Sequence, residues 1–348
     1  MRKVFRLNIY LVLIVNTFLF ISCSDIQKRE IESTGTFTKG WYKQTSVELG
    51  NRIKMITPDY GYAISRGRGD IYGNAYQFSD NRWKPFYEFP YSDYPSIVPV
   101  DSTKVWFVIH QTHRGFYRPR FYEFNQTDIL EIKLPPLMWD DVDYVMFPGL
   151  SVFGNQRWLA GQQGNILYYH DNKWTPFESP VLNVEKTNLR DGDLFDVQMI
   201  TENSGWAVGR NGVILRFKDN RWEKFPSPVA DNLQKISMAN ENFGWIVGDR
   251  GTILQYNGIE WKQVRTEYHY HFTSVKTIDE KRAWICGRQS LLLELIDDKW
   301  VENPEVKNLY ESFSDVDVII DSLTGEPYIW LIGTGGIYTN YKSLGVSF

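Results

Sequence analysis

Hydrophobic and polar positions along this chain fall into one register that recurs. Four segments share it: WLAGQQGNILYYHDNKW (Trp158–Trp174), WAVGRNGVILRFKDNRW (Trp206–Trp222), WIVGDRGTILQYNGIEW (Trp245–Trp261) and WICGRQSLLLELIDDKW (Trp284–Trp300). In each, the two tryptophans lie sixteen apart, and successive copies begin 48, 39 and 39 residues on. Large apolar and small residues alternate over W-x-x-G, as in a buried strand. Paired glycines such as Gly209 and Gly212 then supply a tight turn, and an apolar run such as Val213–Phe217 or Thr252–Tyr256 follows. That run ends at a two-residue turn: Asp80-Asn81, Asp171-Asn172, Asp219-Asn220, Asn257-Gly258 or Asp297-Asp298. These residue types accept the left-handed backbone of a type I′ hairpin. The closing Trp opens an outermost strand, where its ring is expected to cover the next repeat.

A β-rich repeat of this length is the signature of a propeller blade of four antiparallel strands. Weaker copies fill the remainder: Gly61–Trp83, with a longer second turn, and Val105–Ile132, whose closing Trp is replaced by aliphatics. The last copy, Ile329–Tyr341, keeps Trp330, Gly333 and Gly336 but stops before a closing strand. The missing strand is expected at the other end, in Phe37–Gln44, with Trp41 closing the final blade. Innermost strands are predicted near Ile53, Ser96, Tyr144, Phe195, Gln234, Phe272 and Phe313. The prediction is an all-β, seven-bladed β-propeller closed by its N-terminal strand.

The W-x-V-G-x-x-G-x-I-L-x(n)-W pattern resembles the repeats of photosystem II assembly/stability factor-like propellers, close to the BNR/Asp-box group, from about Gly40 to the end. The usual T-x-D-G-G-x-x-W block of that family is reduced here to Asp-Asn-Arg/Lys-Trp. The resemblance implies a propeller and a binding platform, and many members are bacterial envelope proteins.

Aromatic residues make up 16% of the chain, in keeping with strand packing by Trp, Tyr and Phe. The first residues are a separate object: Arg2, Lys3 and Arg6 precede the apolar stretch Leu7–Ile21, too short to span a bilayer comfortably. Phe20-Ile21-Ser22-Cys23 resembles a lipobox, with residues 1–22 as signal peptide and Cys23 as the lipidated residue. Residues 23–36 then read as a polar tether and 37–348 as a single propeller domain. Ser24 rather than Asp after Cys23 leans toward the outer membrane. The competing reading is an ordinary secretory leader whose Cys is incidental. Net charge is −4, and loss of the three leader cations makes it −7, which disfavours general nucleic-acid binding. Cys286 is the other cysteine and reads as a small buried hydrophobe, so no disulfide framework or cysteine metal site can be drawn.

Catalytic constellations are not apparent. The arginines lack the context of propeller sialidases, and no G-x-S-x-G, H-E-x-x-H or phosphate-cradling loop occurs. His269-Tyr270-His271 puts two imidazoles on one strand face, a thin case for a metal; Arg190-Asp191-Gly192-Asp193 lacks the other ligands of a calcium loop. No cofactor is expected.

One pattern bears on binding. In a propeller, turns between second and third strands share a face with the connections between blades. Those turns carry Arg66, Arg68, His113, Arg114, Gln162, Gln163, Arg210, Arg250 and Arg288. Neighbouring connections carry Tyr87, Phe89, Tyr91, Asp93 and Tyr94, and Trp139, Asp140, Asp141 and Tyr144. Guanidinium groups bind carboxylates bidentately, so this face suits an acidic peptide. Tyr91 or Trp139 would equally stack a sugar. The bland alternative is that these charges only solvate tight turns. The expected protein is a lipid-anchored, monomeric envelope propeller that binds a protein or peptide; the alternative is a lectin-like or degenerate glycosidase propeller.

Overall fold

The computed structural model describes residues 36–38, 41–47, 49–67, 72–90, 92–113, 116–135, 145–182 and 192–341. Seven antiparallel sheets follow one another, and their innermost strands form a closed ring around a central channel. These strands are Gly50–Thr57, Ser96–Pro99, Gly149–Phe153, Leu194–Thr201, Leu233–Asn240, Phe272–Thr277 and Phe313–Ile320. They open blades 1 to 7 in that order. Blades 1 to 6 have four strands in sequence order. In blade 7 the fourth strand is Trp41–Thr45, pairing Tyr42 with Thr339 and Lys43 with Tyr338, and Thr36–Thr38 adds a fifth outside it. The N-terminal clasp is therefore present, with Trp41 fully buried beside Trp284 and Leu331.

The Asp-Asn hairpins are type I′: Asp80 and Asn81, Asp171 and Asn172, Asp219 and Asn220, and Asp297 and Asp298 all have φ between 47° and 61°. Asn257-Gly258 departs from this. There Tyr256 pairs with Trp261 across a wider loop, and the Asn257 carboxamide oxygen accepts the N–H groups of Ile259 and Glu260. Blade 3 also begins later than expected, at Gly149 rather than Tyr144. Upstream, Met146 and Phe147 give their N–H groups to Gln162 and His110 side chains, and Pro148 has none to give. That segment has no strand pairing: side chains take its N–H groups, and the Met146 carbonyl accepts the Gln162 N–H at 2.9 Å.

The closing tryptophans cover the preceding blade, not the next one. Trp174 meets Trp106 at 6.1 Å between ring centroids, Trp222 meets Trp158 at 5.7 Å, Trp261 meets Trp206 at 5.5 Å and Trp300 meets Trp245 at 5.0 Å. Most of these pairs are edge-to-face, the favoured quadrupolar arrangement. Trp41 shares a cluster with Trp284 and Trp83 with Trp330, so six of the seven interfaces join an opening Trp to the following blade's closing Trp. Between blades 1 and 2, Phe86 stacked on Phe124 at 4.1 Å fills that role.

Innermost strands lack a backbone partner on the channel side, and side chains of the neighbouring blade supply one. Asp315 accepts the Ile53 N–H at 3.1 Å and Asp317 that of Met55 at 2.7 Å. Asp196 accepts from Ile236, Gln198 from Met238, Ser151 from Met199 and Ser237 from Thr277. The edge that would otherwise stay open is thereby satisfied. Cys286 is fully buried in the blade 6–7 core, where burial pushes its thiol up to about 12.

Because the clasp buries a whole indole, Trp41→Ala should lower unfolding free energy by about 3–5 kcal/mol in urea titrations. An unchanged midpoint would show that the closing strand contributes nothing to the ring.

Candidate ligand-binding face and channel mouth

The glycine ending each W-x-x-G strand marks a contact between backbones. A Cβ on Gly209 would strike the Asp193 carbonyl, on Gly248 that of Asn232, on Gly287 that of His271 and on Gly333 that of Ser312. The same carbonyls accept the next residue's N–H, from Arg210 at 2.8 Å, Asp249 at 3.0 Å, Arg288 at 3.2 Å and Thr334 at 3.2 Å. Each turn is thus locked to the loop entering its own blade, which puts turns and interblade loops on one face. The turn then passes through a left-handed residue: Gln163, Asn211, Arg250 or Gln289.

The predicted arginines are not equivalent on this face. Arg210 lies 3.3 Å from the buried carboxylate of Asp193, with its guanidinium 5.7 Å from the Phe195 ring. Arg250 pairs with Asp231 while remaining largely exposed. Arg288 is exposed and makes no ion pair among the described residues. Arg66 is half-buried; its N–H donates to Leu49 and its carbonyl accepts from Ser92. Arg68, Arg114, Tyr91, Trp139, Asp140, Asp141 and Tyr144, like Cys23, lie outside the described residues, as does the His113 side chain.

Two aromatics assigned to the connection after blade 1 belong elsewhere. Tyr87 and Phe89 are part of the outermost strand Arg82–Phe89, and Phe89 is buried against Gly73, where a Cβ would meet its ring. Among the described residues, the aromatics that do stand out on the interblade loops are Tyr94, Tyr270 and Tyr310, respectively 51, 38 and 90% exposed. Tyr94 and Tyr310 hold left-handed backbone (φ 48° and 54°), an uncommon conformation for a bulky residue. Tyr310 adjoins Glu311, whose carbonyl accepts the Ser290 N–H at 2.7 Å, so it stands beside the Arg288 turn. The Glu311 carboxylate is already engaged by Thr334 Oγ1, the Gly335 N–H and the Tyr338 hydroxyl. Tyr310 was hard to see in the sequence because it sits outside the repeat.

Below this face, the innermost strands carry Arg52, Lys54, Lys235 and Lys276 against Asp196, Asp315 and Asp317. Lys235 Nζ is 2.9 Å from Asp196, Lys276 Nζ 2.6 Å from Asp317 and Lys54 Nζ 3.4 Å from Asp315. Burial alone would raise Asp315, but Lys54, Arg52, Lys235 and the Ser274 hydroxyl outweigh it and hold its carboxyl at about 2. Burial pulls Lys235 below its ordinary value despite Asp196. Lys54 goes the other way, since Asp315 and Asp317 together overcome burial.

His110 is the buried hinge of the face. Its Nδ1 lies 2.8 Å from the Asp93 carbonyl and its Nε2 2.8 Å from the Phe147 amide nitrogen. An amide can only donate, so Nε2 accepts and Nδ1 carries the proton: the ring is neutral. Burial lowers its pKa to about 4 against the pull of the Asp93 carbonyl.

Residues 216–309, the outer half of blade 4 with blades 5 and 6, match the family model of photosynthesis system II assembly factor YCF48. The propeller also superposes on YCF48 bound to D1 peptide with TM-score 0.62 at 13% identity, over 90% of this chain and 99% of that one. YCF48 from Cyanidioschyzon merolae gives 0.62 at 14%, over 86% and 98%. The WD40 beta propeller domain of Doa1 gives 0.61 at 12%, over 87% and 96%. No curated protein matches the sequence. The chain shares its propeller fold with these proteins, and its repeats over residues 216–309 are similar to those of the YCF48 family.

His110 sets an acid limit. Its folded pKa lies below the ordinary 6.5, so its stabilising contribution is complete above pH 6.5 and is lost as pH falls toward 4. Urea unfolding of the wild type should lose about 3 kcal/mol over that window relative to His110→Gln. Parallel pH profiles would show that the neutral ring is not what joins these loops.

Proposed function

We propose that this protein is a protein- or peptide-binding scaffold whose turn face receives an acidic segment of its partner. The observation that carries this reading is Arg288: exposed, without an ion pair among the described residues, and on a turn whose Ser290 N–H bonds to the loop that carries the exposed Tyr310. Arg210 and Arg250 already have carboxylate partners and serve mainly to shape the rim. Support comes from the similar structure of YCF48, solved with D1 peptide, and from the sharing of this architecture with WD40 propellers such as that of Doa1. A guanidinium beside an aromatic ring offers a bidentate carboxylate contact with an apolar wall next to it. Arg66, Arg68 and Arg114, with Tyr91 and Trp139, extend the same face in this reading.

The test is capture from solubilised membranes at low and high salt. Arg288→Gln should reduce partner capture at least tenfold while leaving Tm unchanged, because exposed charges alter stability by only about half a kcal/mol. Wild-type capture should itself weaken as salt screens the contact. Retained capture in Arg288→Gln, with loss in Tyr310→Ala, would favour the glycan-binding alternative over the acidic peptide.

The scaffold is further proposed to be a bacterial envelope lipoprotein anchored through Cys23, after removal of residues 1–22, with the outer membrane as its destination. Cys23→Ala should release the protein from the membrane fraction or leave its precursor unprocessed. Normal processing with continued detergent dependence would remove Cys23 as the attachment point.

A further inference from the structure

Arg52 is the third residue of the first innermost strand, which begins at the turn face: Leu49 donates to the Thr334 carbonyl and accepts from Arg66. Its guanidinium therefore lies just inside the channel mouth. Among the described residues of the seven innermost strands, four cations face three carboxylates. Every carboxylate is committed twice over, to a lysine and to a backbone N–H: Asp196 to Lys235 and Ile236, Asp315 to Lys54 and Ile53, Asp317 to Lys276 and Met55. Among the described residues, Arg52 alone of the four cations has no ion pair. It makes one long contact, 3.5 Å from NH1 to the Asn51 carbonyl, and its Nε is buried without a hydrogen bond. Arg52 acts on Asp315 only at longer range, and its guanidinium keeps a buried donor without an acceptor, which is costly to leave unmade.

We propose that the channel mouth is a binding site for a single carboxylate group, received by the Arg52 guanidinium. One negative charge balances the four-to-three count, and a planar carboxylate matches the donor fork of Arg, which a lysine point charge would not require. The same anion would ease the repulsion that Arg52 and Lys54 exert on Lys235. The site is separate from the Arg288 surface, and an Arg288→Gln protein keeps it.

The experiment is thermal unfolding of the whole protein at pH 7 and fixed ionic strength, exchanging chloride for acetate, with Arg52→Gln alongside. Wild type should gain a saturable rise in Tm with acetate, as a ligand of the native state must give. Arg52→Gln should lose that rise, and in chloride it should unfold no earlier than wild type, because it removes an unmatched charge. A second arm replaces acetate with tetraglycine bearing a free or an amidated C-terminus. A response to acetate assigns a free small acid; a response only to the free-ended peptide assigns a chain end, and either supports the site. Equal acetate responses in both proteins, or no response of wild type to any carboxylate, overturn it. Should Arg52→Gln fail to fold, Arg52→Lys keeps the charge without the fork. It is expected to need at least several-fold more acetate, and an unchanged requirement counts against the proposal.

Discussion

The ring stands on a problem of unpaired edges. An innermost propeller strand has a sheet partner on one side only, and its other row of N–H groups faces the channel, where leaving them unmade costs about 1–3 kcal/mol each. Here the neighbouring blade answers with side chains: carboxylates of Asp196, Asp315 and Asp317, hydroxyls of Ser151 and Ser237, and the carboxamide of Gln198. Each contact reaches about one repeat along the chain or, between blades 7 and 1, around the closure. Charge enters the channel for this structural reason, and lysines follow to neutralise the acids. Arg52 is what remains when that matching is complete.

The blades were legible because their signals are local. W-x-x-G, the Asp-Asn hairpins and the sixteen-residue Trp spacing each describe a few neighbouring residues, and the clasp followed from a repeat lacking one strand. The direction in which the closing rings lean was not legible, since it depends on packing between sheets. Nor was the late start of blade 3: Val145 and Phe147 have apolar strand-like spacing, yet distant His110 and Gln162 take the backbone bonds. Phe89 reads as a linker residue until Gly73 is seen to leave a hole for its ring.

The face was legible in position and only partly in chemistry. Residue types identified the arginine turns, and among the described residues the turns of Arg210, Arg250 and Arg288 are each held to the loop entering their own blade. What one dimension could not show is which guanidinium groups already have acids. Asp193 and Asp231 lie in interblade loops with no repeat signature, yet they pair with Arg210 and Arg250. Arg288 differs because the loop entering its own blade presents His271 where blade 4 has Asp193, and no carboxylate of that loop pairs with the guanidinium among the described residues. Local neutralisation, more than the number of arginines, sets the character of the surface.

Closure by Trp41–Thr45 also dictates an order of assembly. This strand is made among the first and hydrogen-bonds to one made among the last, Ile337–Thr339. Six interfaces join consecutive repeats and can form as the chain lengthens; the seventh waits for the seventh blade, a loop closure whose entropy must be met before its contacts are gained. Until then the Trp41 indole and the edge of its strand have no partner. A chain cut short of the seventh blade is left as an unsealed arc, a natural target for proteolysis, so this pairing also reports that the ring is complete.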